Sequence, residues 1–301
     1  EKIDDNAFEG CTSLSKVEIS ESVQVIGKSA FKGCTQLSSI IISSTVNRID
    51  DNAFEGCTSL TRIEIPASVQ SIGMYAFKGC SQLASITIDC YQTRVENSSF
   101  DDCNKLHQLI FGETVKTIKH KTTDIIQVIK TINSIIIPNT VEIIEEGSFD
   151  NYSLMTQIEI PASVRQIGSS CFISCSSLKR VAIPSLITSI YFNCFCKCTS
   201  LRQVTFPNTI NSIGDDAFFG CTSLSQVIIP SSVISIGERS FSECTSLTQI
   251  DIPSSVKVIG SSCFESCTSL RRANISSSMD SITKNAFRKC TSLSQVSIPM
   301  S

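Results

Sequence analysis

Hydrophobic positions recur along the chain with a period of 23 residues, and positions are counted here from the Phe of each repeat. One repeat shows the full apolar set: Phe54, then Cys57 at +3, Leu60 at +6, Ile63 at +9 and Ile65 at +11. The residue between the last two, at +10, varies freely from repeat to repeat. An apolar, variable, apolar order predicts a strand with one buried face.

The rest of the repeat predicts a second strand and two turns. All eight prolines lie at +12, where a residue without an N–H ends a strand and turns the chain. Two further apolar positions, as at Val69 and Ile72, predict a second short strand. Gly follows in many repeats, as at Gly27 and Gly73, and predicts a corner with positive φ. Because Asp, Ser or Asn then precede the Phe as N-cap residues, A-F-x-x-C is predicted to form one turn of α- or 3₁₀-helix.

A single coil of this kind cannot bury its own Phe, Leu and Ile, but stacked coils can. The length of 301 residues is one short of thirteen periods plus three inserted residues. The sequence therefore predicts a β-rich solenoid, a rod or horseshoe of about thirteen coils with a parallel sheet on one face. We expect residues 1–301 to form one solenoid domain, and to be a segment without capping repeats because both ends fall in mid-repeat.

The unit L-x-x-I-x-I-P-x-S-V-x-x-I-G-x-x-A-F-x-x-C resembles the BspA-like, or Treponema-pallidum-type, subclass of leucine-rich repeats over nearly the whole chain. This resemblance implies a secreted or surface-anchored protein of a bacterium or trichomonad-like protist, engaged in adhesion to host matrix or cell-surface proteins. The family offers no catalytic motif. We therefore expect a non-catalytic protein-binding module, extracellular or at the cell surface. The alternatives are an intracellular scaffold or assembly rod and, more remotely, a polysaccharide-acting β-helix enzyme.

Charge and composition exclude several other classes. The net charge of −3 provides no basic field for nucleic acid, and no apolar run reaches the ~18 residues that a membrane span needs. Paired acids such as Asp50-Asp51 recur with the repeat instead of converging on one cleft, so we expect no catalytic residues. The sequence contains no dinucleotide or phosphate-loop motif, and no cofactor is expected.

Eleven of the 16 cysteines occupy the +3 position, where we expect buried free thiols that act as small hydrophobes. Cys171 and Cys194 replace the small residue before the Phe in neighbouring repeats, and a disulfide between them stays open. The run from Cys194 to Cys198 has no His nearby and the wrong spacing for zinc, so no metal is expected. Cys90 and Cys196 lie at predicted turns and are expected to be the exposed thiols.

The repeat is irregular between about residues 106 and 155. Ile126, Ile129 and Ile132 replace Phe, Cys and Leu, and three residues are inserted within 119–124. This stretch carries candidate partner-binding residues Lys116, Lys119, His120 and Lys121. Insertions in solenoids map to loops, and loops carry function. The alternatives are neutral drift of one coil and a hinge between two rigid halves.

Further candidate partner-binding residues lie at the variable positions around the first strand of each coil. They are Arg62, Ile110, Ile136, Arg180, Arg202, Arg271 and Arg272. Arg and Ile anchors on a polar sheet face predict a broad surface for a protein ligand, such as an acidic matrix or cell-surface protein. The alternative is a solvated face without a ligand. Open solenoid ends also predict end-to-end self-association.

Overall fold

The computed structural model describes residues 1–89, 93–96, 98–119, 129, 131–275 and 282–298. They fall into two compact units, unit 1 (Glu1–Val115 with Lys121–Pro138) and unit 2 (Lys116–His120 with Asn139–Ser301). In each unit the chain winds as a parallel β-solenoid with up to two short strands per coil; in unit 2, residues 157–160 and 226–229 form no first strand. The predicted leucine-rich solenoid class is thereby confirmed. The extension of one domain over residues 1–301 stays a prediction.

Unit 1 has two sets of parallel strands, the first strand of each coil after the Leu and the second strand after the +12 turn. Its first strands are β2 (Lys16–Glu18), β4 (Ser39–Ile41), β6 (Arg62–Ile65), β8 (Ser85–Ile88), β10 (Gln108–Phe111) and β12 (Ser134–Ile136). Its second strands are β1 (Lys2–Ile3), β3 (Val25–Ile26), β5 (Arg48–Ile49), β7 (Ser71–Ile72) and β9 (Arg94–Val95). The second strands form one five-stranded sheet, whereas the first strands form sheets β2-β4 and β6-β8-β10-β12.

Unit 2 repeats this arrangement. Its first strands are β15 (Arg180–Ala182), β17 (Gln203–Thr205), β20 (Gln249–Ile252), β22 (Arg272–Ile275) and β23 (Gln295–Ser297). Its second strands are β11 (Thr117–Ile118), β13 (Ile143–Ile144), β14 (Gln166–Ile167), β16 (Ser189–Ile190), β18 (Ser212–Ile213), β19 (Ser235–Ile236) and β21 (Val258–Ile259). The first strands pair as β15-β17 and β20-β22-β23, and the second strands as β11-β13-β14 and β16-β18-β19-β21.

The register between paired strands equals the 23-residue period, or 26 residues from β10 to β12 and from β11 to β13, so that apolar positions stack on the equivalent positions of the next coil. Ile63 of β6 pairs with Ile86 of β8, for example. The Phe rings stack face to face along the core, with centroids of Phe31 and Phe54 5.3 Å apart and their planes within 2°. Each ring therefore buries both of its faces against the neighbouring coils. This repeated burial holds together coils that could not fold singly.

The predicted helical turn at A-F-x-x-C is wrong, because no helix occurs in the described part of the chain. Two positions per coil have positive φ instead, as Asn52 (56°) and Gly56 (72°) show. Each is the third residue of a β-turn, and the second turn closes with the Cys57 amide donating to the Phe54 carbonyl at 3.2 Å. A left-handed residue at such short intervals prevents a helix from propagating.

The prediction of positive φ for the glycines after the second strand is also wrong. Gly27 and Gly73 are absent from the positive-φ positions of the described chain. Glycine is required at these positions because a side chain would clash with the preceding coil. A Cβ on Gly73, for example, would lie 2.6 Å from the Asp51 amide nitrogen. The acidic residues expected as N-caps act between coils. Asp51 Oδ1, for example, accepts the Met74 amide at 2.9 Å.

The +3 cysteines are more than small hydrophobes, because each of them except Cys11 donates its S–H to the Phe carbonyl of the preceding coil. The Sγ–O distance is 3.2 Å from Cys57 to Phe31 and 3.1 Å from Cys221 to Phe195. All fifteen described cysteines are free thiols, Cys171 and Cys194 included. The expectation that Cys196 is an exposed thiol is wrong, because it is 5% exposed. Cys90 lies outside the described residues.

In the irregular stretch the substituted side chains keep the core closed. Ile129, Ile132 and Met155 are buried at the positions that Cys or Leu fill elsewhere, and Tyr152 is 7% exposed in place of a Cys. Burial raises the pKa of the Tyr152 hydroxyl. Ile126 and all of the insertion after Lys119 lie outside the described residues, so the three interpretations of the insertion stay predictions.

Candidate binding face

The face formed by the first strands displays two rows of side chains. Because strand side chains alternate, positions +9 and +11 enter the core while +8 and +10 point outward. In β6 the side chains of Ile63 and Ile65 are buried, whereas Arg62 and Glu64 are exposed. Burial thus requires apolar residues at two positions of each first strand, whereas the residue type at the other two positions can vary.

In unit 1 the face carries aliphatic side chains exposed to water. Ile110 and Ile136 face each other in register across β10 and β12. Ile136 is 44% exposed, and Ile41 of β4 is 55% exposed. The predicted candidates Ile110 and Ile136 are therefore brought side by side, with the half-buried Gln108 and Ser134 as their register neighbours at +8.

The third unit 1 candidate, Arg62, lies at a break in the face. The strands β4 and β6 belong to different sheets, although the second strands β3, β5 and β7 of the same coils are paired without a gap. A depression of about 530 Å³ opens along this break. It is lined by Ser39, Ile40, Ile41, Ile42, Arg62, Ile63, Glu64, Ser85, Thr87 and Ile110.

Acidic residues on the unit 1 face are partly neutralised. Lys16 of β2 donates to Glu18 on the same strand at 2.6 Å, and this hydrogen bond lowers the pKa of the Glu18 carboxyl. Glu64 has no ion-pair partner among the described residues. The face of unit 1 therefore combines apolar, cationic and anionic groups at short range.

In unit 2 the predicted arginines form two groups. Arg180 pairs in register with Gln203, and the Arg202 amide donates to the Lys179 carbonyl at 2.9 Å, so Lys179, Arg180 and Arg202 occupy adjacent coils. Arg271 and Arg272 form the second group, at the same two positions of a later coil. Arg272 is in register with Gln249 on one side and with Gln295 on the other. All of these cations are exposed.

A second break in the face lies between these two groups. Residues 226–229 form no strand, and only an isolated bridge joins Gln226 to Gln203. A depression of about 180 Å³ opens there, lined by Gln226, Val227, Ile228, Ile229, Gln249 and Asp251. Ile228 is 83% exposed at its edge.

The candidates of the irregular stretch do not join this face. Lys116 directly precedes the second strand β11 and its carbonyl accepts the Glu142 amide at 2.9 Å. Lys119 directly follows β11 and is half-buried. Both lie on the second-strand side of the coil, and His120 and Lys121 lie outside the described residues. The face also contains groups that were not predicted as sites, namely Ile41, Lys179 and Ile228, although the +7 and +10 columns of the sequence contain all three.

Nothing in the described residues brings three His, Cys, Asp or Glu side chains together as metal ligands. In the same residues there is likewise no helix with the length and apolarity that crossing a membrane requires.

Stacked coils with a strand after each L-x-x define the class of leucine-rich repeat proteins, which generally serve as protein-interaction modules. The sequence model of the BspA type leucine-rich repeat region, in six copies, matches residues 1–123, 128–232 and 211–301. The chain belongs to this family. No curated protein matches the chain.

Solved structures show the same likeness. A leucine-rich repeat protein from Bacteroides ovatus is 26% identical, with 91% of this chain and 82% of that one covered at a TM-score of 0.52. A leucine-rich cell surface protein from Faecalibacterium prausnitzii is also 26% identical, over 100% of this chain and 83% of that one, with a TM-score of 0.47. A T. pallidum leucine-rich repeat protein is 24% identical over 75% and 72% of the two chains, with a TM-score of 0.28.

Proposed function

We propose that this chain is a non-catalytic protein-binding module for cell-surface adhesion or recognition, and that it contacts its protein partner with the first-strand face of unit 1. The observation that carries the proposal is the pair Ile110 and Ile136, which lie side by side on a face where folding requires no apolar residue. Exposed aliphatic surface costs free energy in water, at about 25 cal/mol per Å². A partner that covers these side chains recovers that free energy.

The surroundings of the pair fit the usual composition of a protein interface. Apolar anchors at the centre are bordered by Gln108 and Ser134, and Arg62 lies on the same sheet. Interfaces typically place aliphatic, aromatic and Arg side chains inside a polar rim. The Ile41 side chain at the break between β4 and β6 extends the apolar area.

The proposed location is extracellular or at the cell surface, and it rests on membership of the BspA-type family. The intracellular scaffold was the alternative because many thiols stay free. Free thiols do not require an intracellular location when they are buried. Burial raises the pKa of the Cys57 thiol to about 12, and a protonated buried thiol reacts slowly with oxidants.

The alternative of a polysaccharide-acting enzyme requires two carboxylates that face each other across a substrate. Three of the described Asp pairs have a structural role instead. Asp5 Oδ1 accepts the Lys28 amide at 3.0 Å, Asp51 Oδ1 the Met74 amide, and Asp215 Oδ1 the Glu238 amide at 2.7 Å. One carboxylate of each of these pairs accepts a hydrogen bond from the next coil. This structural role favours a binding function of the chain over a catalytic one.

The test measures binding to immobilised collagen, laminin and fibronectin by surface plasmon resonance. The double variant Ile110→Thr/Ile136→Thr removes the apolar pair and keeps β-branched residues in the strands. Loss of two anchors worth over ~1 kcal/mol each should weaken binding roughly thirtyfold. The matched control Met74→Thr/Leu154→Thr alters two exposed apolar residues that do not belong to the first strands, 46% and 45% exposed, and should bind like the wild type. Equal affinity of the two double variants, or no binding to any of the three proteins, would contradict the proposal.

A further inference from the structure

The face of unit 2 differs from that of unit 1 in being cationic. Its charged side chains at +7 and +8 are the basic strip: Lys179, Arg180, Arg202, Arg271 and Arg272. All five are exposed, and none has an ion-pair partner among the described residues. The whole chain carries a net charge of −3, so the charge of the basic strip is opposite in sign to the net charge. A concentrated field of this kind attracts polyanions selectively.

The basic strip also has no carboxylate in its own columns. No Asp or Glu occurs from +4 to +8 in any of the coils that it crosses, which are residues 176–180, 199–203, 222–226, 245–249 and 268–272. The positions beside it are Ser and Thr, whose hydroxyls support the coil stack, as Thr222 Oγ1 does by donating to the Thr199 carbonyl. The nearest face carboxylates are Glu159 and Asp251 at +10, and Asp251 accepts a hydrogen bond from Asn274.

Spacing along the basic strip follows from the coil repeat. Adjacent parallel strands lie about 4.8 Å apart, so Arg202 is one step from Arg180 and the pair Arg271-Arg272 about 14 Å further on. The second strands β18, β19 and β21 stay paired through the break in the face and keep these coils in step. The cations therefore form a line of two groups along the unit.

The gap between the two groups is a polar depression. The 180 Å³ depression at the break is lined by Gln226 and Gln249, by Ile228, and by Asp251, whose carboxylate accepts a hydrogen bond from Asn274. Two carboxamides supply donors and acceptors for hydroxyl groups, and the aliphatic side chain offers a surface for C–H groups. A volume of this size suits one sugar ring better than an interlocking protein surface, which needs a packed apolar centre.

We propose that the basic strip binds a linear sulfated polysaccharide, with sulfates at the two cationic groups and a sugar ring over the depression between them. Sulfate oxygens accept hydrogen bonds from the two parallel N–H groups of a guanidinium. This preference explains why four of the five cations in the strip are arginines. Ile228 is a single exposed aliphatic side chain at the depression and does not form a packed apolar centre, which disfavours an acidic protein as the ligand. Protein binding by unit 1 and polysaccharide binding by unit 2 involve different residues and can fail independently.

The test uses size-fractionated heparin oligosaccharide and isothermal titration calorimetry of the full chain at about 0.15 M NaCl. The variant Arg180→Gln/Arg202→Gln/Arg271→Gln/Arg272→Gln removes four charges, and Gln is already the residue at +8 in several coils, such as Gln203 and Gln249. We expect the variant to fold and to bind heparin at least about tenfold more weakly. The charge-matched control alters cations away from the strip: Arg165→Gln/Lys257→Gln/Lys284→Gln/Arg288→Gln. It should bind within about twofold of the wild type.

Three comparisons separate sulfate recognition from other causes. The variant that changes the same four arginines to Lys keeps the charge and should retain more binding than the Gln variant. Desulfated heparin should not compete, and poly-L-glutamate should bind more weakly than heparin of similar length. Absence of heparin binding by the wild type, equal losses in the strip and control variants, or poly-L-glutamate binding as tight as heparin would each overturn the proposal.

Discussion

At the residue scale, the repeated cysteine combines packing with hydrogen bonding. Its thiol fills a small core position and donates to a Phe carbonyl of the preceding coil, as Cys244 does to Phe218 at 3.3 Å. Burial raises the pKa of the Cys244 thiol. The exceptions are at the two ends of the column, where Cys11 is exposed and Cys290 is half-buried. Reactivity should therefore follow position in the stack.

This gives a prediction for thiol labelling, best made in a Cys90→Ala background because Cys90 lies outside the described residues. At pH 8 a water-soluble disulfide reagent should label Cys11 first and Cys290 more slowly, while the buried thiols react only after unfolding in urea. Adding Cys11→Ala should remove the fast phase. Rapid labelling of Cys221 in the folded chain, or few reactive thiols after reductant-free unfolding, would contradict the free, buried column.

At the element scale, the corner after each second strand depends on close approach of two backbones. Gly73 lies against Asp51 of the preceding coil, where a Cβ would meet a backbone amide nitrogen at 2.6 Å. Gly56 is a different case in the same unit. Its φ is 72°, and the nearest atom to an added Cβ lies 3.9 Å away. Glycine is thus needed at position 73 because a Cβ would clash with the neighbouring coil, and at position 56 because the backbone is left-handed.

Substitutions should separate these two roles. Gly73→Ala forces backbone atoms apart and should lower the free energy of unfolding by about 1–3 kcal/mol. Gly56→Asn should cost less than about 1 kcal/mol, because Asn tolerates the left-handed region and Asn151 occupies this position with φ 57° in another coil. Urea denaturation of both variants measures the difference. A cost of Gly56→Asn equal to or above that of Gly73→Ala would count against this assignment.

At the scale of the whole molecule, the buried thiols act together on stability. Burial raises the pKa of Cys57 and of Cys263 to about 12 from an ordinary value of 9.0. The folded chain keeps these thiols protonated, whereas the unfolded chain ionises them above pH 9. Their contribution is therefore fully present below about pH 9 and is lost as the pH rises toward 12, at about 1.4 kcal/mol per thiol and pH unit.

The free energy of unfolding, measured by urea denaturation in reductant, should accordingly fall steeply between pH 9 and pH 10.5. The double variant Cys57→Ala/Cys263→Ala is less stable at pH 8 but should lose stability less steeply, by roughly 2.7 kcal/mol per pH unit. Comparison of slopes within each protein removes the constant effect of the two cavities. Identical slopes for the variant and the wild type would show that these thiols do not ionise on unfolding.

Sequence periodicity was sufficient for the coil, the two strands and the buried columns, because one 23-residue register places every apolar position against its own copy. It also predicted that Ile110 and Ile136 lie on a single face. Local conformation at A-F-x-x-C was not predictable in this way. Asn52 suits an N-cap and a left-handed turn equally well, and the hydrogen bonds to the next coil decide between them.

The sequence by itself thus determined the repeat, the strand order and which side chains are buried, since each follows from apolar burial at a fixed period. Only the tertiary structure decided where neighbouring first strands separate, as at Arg62 and at Gln226, because those breaks depend on how consecutive coils stack. It also decided which thiols water can reach. Both properties arise from contacts between coils, and a period in the sequence specifies such contacts only as an average.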